Sequence, residues 1–313
     1  HPYLPWEYYP DMIRAIREVA PSLHVKAFTA VELVHLAKIA KRYKRADRKA
    51  GIRSILAELK EAGLGSLPGG GAEVFDDRVH DSAYKGKIRS DEWLDVHTVA
   101  HELGLNSNAT ILYGHIDQRR ERLVHMEILR RAQDQALDRL GYAGVNGFVA
   151  DGLAATAEIE SPVITLTREG VAQPTPAMSD RGGYFQTIIP LPFFPDGSEL
   201  EHLPGPSGLE NLRTLAIARL MLDNFPHVKA FWIMQTLPMS QFMMQAGADD
   251  IDGTVVWYDI TKVGGASTHQ ETTVGDLQKA IADAGYEAVE RDTLYRRVER
   301  DAEDGRKWSV VPG

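Results

Sequence analysis

The sequence predicts an α/β fold of parallel strands joined by helical crossovers, and three observations carry that expectation. Six short runs rich in β-branched or aromatic residues recur along the chain, segments of helical period lie between them, and the composition is that of an ordinary globular protein. Strands alternating with helices pair in parallel through right-handed connections, so the architecture is a doubly wound sheet or a barrel. The length of 313 residues suits one barrel with insertions.

In chain order, Met12, Ile13, Ile16 and Val19 share one helix face, and a strand is expected over 23–29 (LHVKAFT). Ile52, Ile55, Leu56 and Leu59 mark a second helix before a strand over 64–70. A helix over 93–103 places His97 and His101 on one face, and a long strand follows over 106–113 (NSNATILY). Further strands are expected over 184–191, 228–234 and 251–257. Ser207-Gly-Leu-Glu210 forms a capping box for a helix through Leu222, and Thr273-Val-Gly-Asp276 caps the last helix. The step from the third strand to the fourth is about twice its neighbours, and residues 135–181 within it are rich in Gly, Ala, Thr and Pro. That stretch, with an extended run over 163–167, reads as an insertion into a single domain spanning 1–313. His24-Val-Lys-Ala-Phe28 recurs as His227-Val-Lys-Ala-Phe231, four strands later, as half-barrel symmetry would place it.

Composition bounds the function. The chain carries 35 Lys and Arg against 44 Asp and Glu, a formal charge of −9, which argues against nucleic acid or a membrane surface and for a small-molecule partner. The basic run from Lys38 to Arg53 reads as a solvated face rather than a nucleic-acid patch. No apolar run approaches the roughly 20 residues of a membrane span, and no leader is evident, so a cytoplasmic protein is expected. There is no cysteine, which excludes disulfides, thiolate zinc sites and an iron–sulfur cluster held by the chain's own thiolates. A closed barrel of this type has eight strands where six are read, and the chain opens on His1 without a strand before its first helix. Two further units are therefore expected upstream.

In βα barrels the reacting groups sit where strands end. Leu67-Pro-Gly-Gly-Gly-Ala-Glu73 offers glycines that let a backbone approach a ligand and an acid able to accept both hydrogen bonds of a ribose diol. A flexible loop with a solvated Glu is the alternative. Asn108-Ala-Thr110-Ile-Leu-Tyr113-Gly-His115 ends a strand with polar groups suited to orienting a substrate, or with groups satisfied locally. His97 and His101 have metal-compatible spacing without an implied third ligand, so a core or surface role is expected. Arg213 and Arg219, in an otherwise apolar helix, suit a substrate carboxylate or a structural salt bridge.

Several long segments resemble the aminofutalosine synthase family of radical S-adenosylmethionine (SAM) enzymes. They are HVKAFTAVE, LKEAGLGSLPGGGAEVF, AHELGLNSNATILYGHI, LPGPSGLENLRTLAIARLMLDNFPHVKAFW, GADDIDGTVV and AGYEAVERDTLY. The glycine-rich Glu loop and the ATxxYGH strand are shared with cyclic dehypoxanthine futalosine synthase and with half of the deazaflavin-cofactor synthase, whereas GPSGLENLRT and ERDTLY favour the first family. The resemblance implies a barrel of radical SAM type with about six of eight units present. It also implies a [4Fe-4S] cluster and an external electron donor, and addition of a 5′-deoxyadenosyl radical to 3-[(1-carboxyvinyl)oxy]benzoate to give aminodeoxyfutalosine for menaquinone. On that basis Gly70, Gly71 and Glu73 would hold SAM, Asn108, Thr110, Tyr113 and His115 would face adenosine or substrate, and Arg213 and His227 would meet substrate carboxylates. The family's cluster cysteines are absent, so the chain alone is not expected to run the reaction. A non-catalytic nucleoside or carboxylate-binding barrel, a sibling radical SAM enzyme, and a barrel lyase using Glu73 and His115 as acid and base are the other readings.

Overall fold

In the computed structural model, which describes residues 4–71, 73–141, 182–254, 272–305 and 307–311, six parallel strands form one curled sheet in which spatial order is sequence order. They are β1 (Val25–Lys26), β2 (Leu64–Leu67), β3 (Asn106–Tyr113), β4 (Phe185–Pro192), β5 (His227–Ala230) and β6 (Asp250–Ile251). The connections carry α1 (Tyr8–Val19), α2 (Ala30–Ile39), α3 (Arg48–Ala62), α4 (Asp77–Ala83), α5 (Ser90–Glu102), α6 (Arg119–Arg139), α7 (Gly208–Met221), α8 (Trp232–Gln235), α9 (Leu237–Gln245) and α10 (Val274–Asp283). A short antiparallel pair, β7 (Val298–Arg300) and β8 (Trp308–Val310), follows. Among the described residues β1 and β6 are the two ends of the sheet and do not pair with each other.

Each predicted run overlaps a strand, with instructive differences, and the last shares only Ile251 with β6. The run over 228–234 stops at Ala230 because Trp232 and Ile233 leave the sheet as α8 and pack on Leu277 of α10, with Trp232 Nε1 donating to the Asp252 and Gly253 carbonyls at 3.0 and 3.1 Å. Apolar side chains in an irregular place won over β propensity. Of the stretch 135–181, residues 135–139 complete α6, while 142–181, including the run 163–167, lie outside the described residues, as do 255–257 of the last run. The chain returns to the sheet at Gly183, whose φ of +112° and close approach to the His101 carbonyl, 2.3 Å from where a Cβ would sit, require glycine.

Strand alternation separates two faces. Register pairs Asn108 with Thr187, Thr187 with His227, and Lys229 with Asp250, so these polar side chains share the concave face. Ala109, Ile188 and Val228 share the other face, buried against the helices in one continuous core. At its centre Phe185 lies between Trp93 and Phe225 in a parallel stack, with centroids 5.8 and 5.4 Å apart. Helix starts follow the sequence. Thr273 and Asp276 make a full capping box, but Ser207 makes only half of one: it accepts from Glu210 N at 3.3 Å while the Glu210 carboxylate turns to Arg119 and Arg122. Much of the basic run is neutralised by acids on α3 and α5, with Arg42 on Glu58, Arg48 and Lys49 on Asp95, and Arg53 on Glu102.

Truncating the stacked core ring removes packing that the neighbours on both sides cannot refill. Phe185→Ala is expected to lower unfolding free energy by about 3–5 kcal/mol in urea denaturation, and a loss below about 1 kcal/mol would contradict the described stack.

Candidate functional site

The two copies of His-Val-Lys-Ala-Phe lie on β1 and β5, and both send their lysines into the concave face. Lys229 Nζ reaches Asp252 Oδ1 at 3.0 Å and Asp250 Oδ2 at 3.4 Å. Asp250 also accepts from Arg291 at 3.0 and 2.8 Å and from the Tyr295 hydroxyl at 2.8 Å. The Tyr295 ring stacks on His227 at 3.9 Å, with the Arg291 guanidinium 4.2 Å from its centroid. Burial alone would raise the Asp250 carboxyl, yet Lys229 and Arg291 hold it well below the usual carboxylate range. Lys26 Nζ donates to Asn108 Oδ1 at 3.5 Å. Burial, together with the facing Lys229 and Arg291, pushes its ammonium down to about 8. Lys26, Lys229, Asp250, Arg291 and Tyr295 escape a motif search. The signals that could have found them are the repeat, whose lysines alternate onto the histidines' face, and the ERDTLY segment.

The glycine-rich loop runs from β2 along β3. Gly69 lies so close to the Asn108 backbone that a Cβ would sit 2.7 Å from its carbonyl. Thr110 Oγ1 donates to the Gly69 carbonyl at 2.8 Å, and Leu112 N donates to the Glu73 carbonyl at 3.2 Å. Trp93 Nε1 supports the Gly70 carbonyl at 3.4 Å, and Gly71 has a φ of +91° against Val31. Glu73 itself is left-handed, with φ of +48°. Its carboxylate, 15% exposed, is ion-paired with Lys87 at 2.5 Å in a cleft also lined by Gly71, Asp76, Tyr84 and Arg89. His125 of α6 ties the loop to the strand. Its Nδ1 accepts from Phe75 N at 3.1 Å, and its Nε2 donates to the Thr110 carbonyl at 3.1 Å.

Beyond β3 the polar residues serve a different purpose. Tyr113 faces the helices, its hydroxyl donating to Asn211 Oδ1 of α7 at 2.9 Å. His115 Nε2 donates to the Leu112 carbonyl at 3.0 Å beside the Tyr84 ring, and burial lowers its pKa. Asp117 accepts from Gly114 N and His115 N at 2.7 and 2.9 Å and pairs with Arg122, which reaches Glu210 at 2.7 Å. Arg213 pairs with Glu210 at 3.2 Å on α7, with its side chain 40% exposed. The structure thus gathers Gly70, Gly71, Glu73, Asn108 and Thr110 around the loop and β3, and His227 on the concave face. Tyr113 and Arg213 sit in the helix layer, and His115 in the turn between. Arg219 binds Asp249 at 2.6 Å, the salt-bridge alternative. His97 packs on Trp93 at 3.8 Å, and among the described residues no group of three or more metal-capable side chains occurs.

The loop suits a nucleoside: glycine approach and a carboxylate stand together at the C-terminal ends of β2 and β3. A thiolate-held cluster does not fit this chain, which has no cysteine.

Burial lowers both His97 and His125 from 6.5 to about 3. The unfolded chain therefore binds more protons than the folded one between these values. Stability they contribute is present above about pH 6.5 and is lost as pH falls toward 3. His125→Leu removes the bonds to two backbone groups, Phe75 N and the Thr110 carbonyl, and is expected to cost about 1–3 kcal/mol at pH 7.5. Its stability should also fall less steeply than wild type over that window in urea denaturation, and an unchanged slope would contradict the bridging role.

Residues 182–303 match the family model for the CofH/MqnC C-terminal region. The chain is 38% identical to aminodeoxyfutalosine synthase of Thermus thermophilus over 95% of its own length and 67% of that protein's. It is 35% identical to aminodeoxyfutalosine synthase of Streptomyces coelicolor over 94% of its length and 65% of that protein's. The chain thus spans about two thirds of the length of these relatives. The crystal structure of methylornithine synthase (PylB) shares the fold with a TM-score of 0.52 at 12% identity, covering 82% of this chain and 63% of that one. With a partial barrel of parallel strands, a glycine-rich Glu loop at its mouth and this extent of identity, the chain belongs to the aminodeoxyfutalosine synthase family.

Proposed function

We propose that the chain forms the SAM- and substrate-binding part of an aminodeoxyfutalosine synthase, which joins a 5′-deoxyadenosyl group to 3-[(1-carboxyvinyl)oxy]benzoate in menaquinone biosynthesis. The observation that carries this reading is the family relation over nearly the whole chain, and the Glu73 cleft at the strand ends supports it. SAM supplies the 5′-deoxyadenosyl group, while an external donor and a [4Fe-4S] cluster are required from outside this chain's own ligands.

The remaining roles fall to the chain. Glu73 accepts the two hydroxyls of the ribose, displacing Lys87 from part of its carboxylate. Gly70 and Gly71 keep side chains out of the ligand's path. The Thr110 hydroxyl, which spends its proton on the Gly69 carbonyl, turns its lone pairs to the ligand. Asn108 and the Nε2 of His227, which has no hydrogen-bond partner among the described residues, face the substrate from the concave wall. Tyr113 and His115 hold the end of β3 rather than touch the ligand.

Replacing the carboxylate by an amide turns charged hydrogen bonds into neutral ones. Glu73→Gln in the full-length protein is expected to weaken SAM binding by about 1–3 kcal/mol in an equilibrium titration. Unchanged affinity would refute the ribose assignment.

A further inference from the structure

Among the described residues of the concave face, one cation is left over. Lys229 and Arg291 face Asp250 and Asp252, two charges against two. Lys26, on the opposite arm of the curled sheet, adds a third positive charge, and its single hydrogen bond among the described residues is the long one to Asn108 Oδ1. No carboxylate lies within 4.0 Å of its Nζ among those residues, and the half-buried ammonium faces Lys229 and Arg291 as well as the more distant Asp250 and Asp252, which those two cations already engage. An ammonium held this way gains from an anion more than a solvated surface lysine would, because its hydration is already partly stripped. Its lowered pKa of about 8 still leaves it protonated at neutral pH. Beside it the Asn108 side chain is buried, and its oxygen is turned to Lys26, which leaves the amide nitrogen as a second donor without a partner among the described residues. Two adjacent donors of this kind match the two oxygens of a carboxylate.

We propose that Lys26 and Asn108 form a carboxylate subsite on the concave wall, taking the acid group of an aryl carboxylate. The anion site rests on the charge balance of the face, and the choice of an aryl acid rests on the function proposed above. Gly69 packs directly on the Asn108 backbone, so an acid held here lies at the foot of the glycine-rich loop, next to the nucleoside assigned to it. The subsite therefore fixes one end of the substrate while the loop fixes the other reactant, which is how a site gains rate from orientation.

The probe is benzoate alone, titrated into the full-length protein and followed by saturation-transfer NMR. Lys26→Met is expected to weaken benzoate binding at least about tenfold, whereas Lys26→Arg, which keeps the charge, loses about threefold or less. Because the methionine removes a half-buried charge that has no carboxylate partner among the described residues, its urea stability is expected to equal or exceed wild type, which separates lost binding from lost folding. Wild-type benzoate affinity in Lys26→Met, no saturable benzoate binding by wild type, or equally tight binding of inorganic phosphate would each overturn the subsite. The two readings separate: loss of benzoate in Lys26→Met with SAM affinity untouched by Glu73→Gln refutes the ribose assignment and leaves the subsite standing, and the reverse pattern refutes the subsite alone.

Discussion

Charges enclosed by the concave face of a parallel sheet have little water to turn to, and pairing them is the constraint on which this structure depends. Asp250 is the node. It receives Lys229 from β5, and Arg291 and Tyr295 from the segment after α10, so one carboxylate joins two strands and a stretch some 40 residues further along the chain. Tyr295 covers His227 with its ring, and His227 in turn donates to Asp249 at 2.9 Å, which also accepts from Val228 N and pairs with Arg219 of α7. Removing one partner from such a group costs about 3–5 kcal/mol, far more than a surface pair. The C-terminal segment is thereby fixed against the concave wall, and the glycine-rich loop stands at the C-terminal ends of β2 and β3.

The same alternation divides the labour of β3. Its concave residues, Asn108 and Thr110, stand beside the loop and Lys26, while its opposite residues are structural: Ser107 lies 2.8 Å from His101 Nε2, and Tyr113 binds Asn211. His125 passes from the helix layer to bond both loop and strand backbone, so the position of Glu73 is set by α6 as much as by β2. Gly114 lets the turn after β3 come against Pro206 just ahead of α7, where a Cβ would sit 2.7 Å from the proline ring. The segments shared with the family thus include a mechanical part, which holds the strand end.

Strands and crossovers were legible because hydrophobic period and capping residues are local signals; β3 lies where NSNATILY places it. The glycine-rich loop was legible for the same reason. What local signals miss is direction across space. Tyr113 and Asn108 sit in one motif, yet an odd spacing sends them to opposite faces, and Arg213 looks like a free guanidinium until Glu210, three residues earlier, is seen to hold it. Glu210 is itself drawn from its capping box by Arg119 and Arg122, which come from α6. Lys26, Asp250 and Arg291 become a group only when the sheet curls, because they lie far apart in sequence.

A double-mutant cycle on Asp250 and Arg291, read by urea denaturation, tests the charge-paired concave face most directly. Asp250→Asn and Arg291→Met are each expected to destabilise by about 3 kcal/mol. The double variant should then lose much less than their sum, with a coupling of about 2 kcal/mol or more. Additive losses, with coupling below about 0.5 kcal/mol, would contradict the pairing and with it the enclosed polar face on which the site is built.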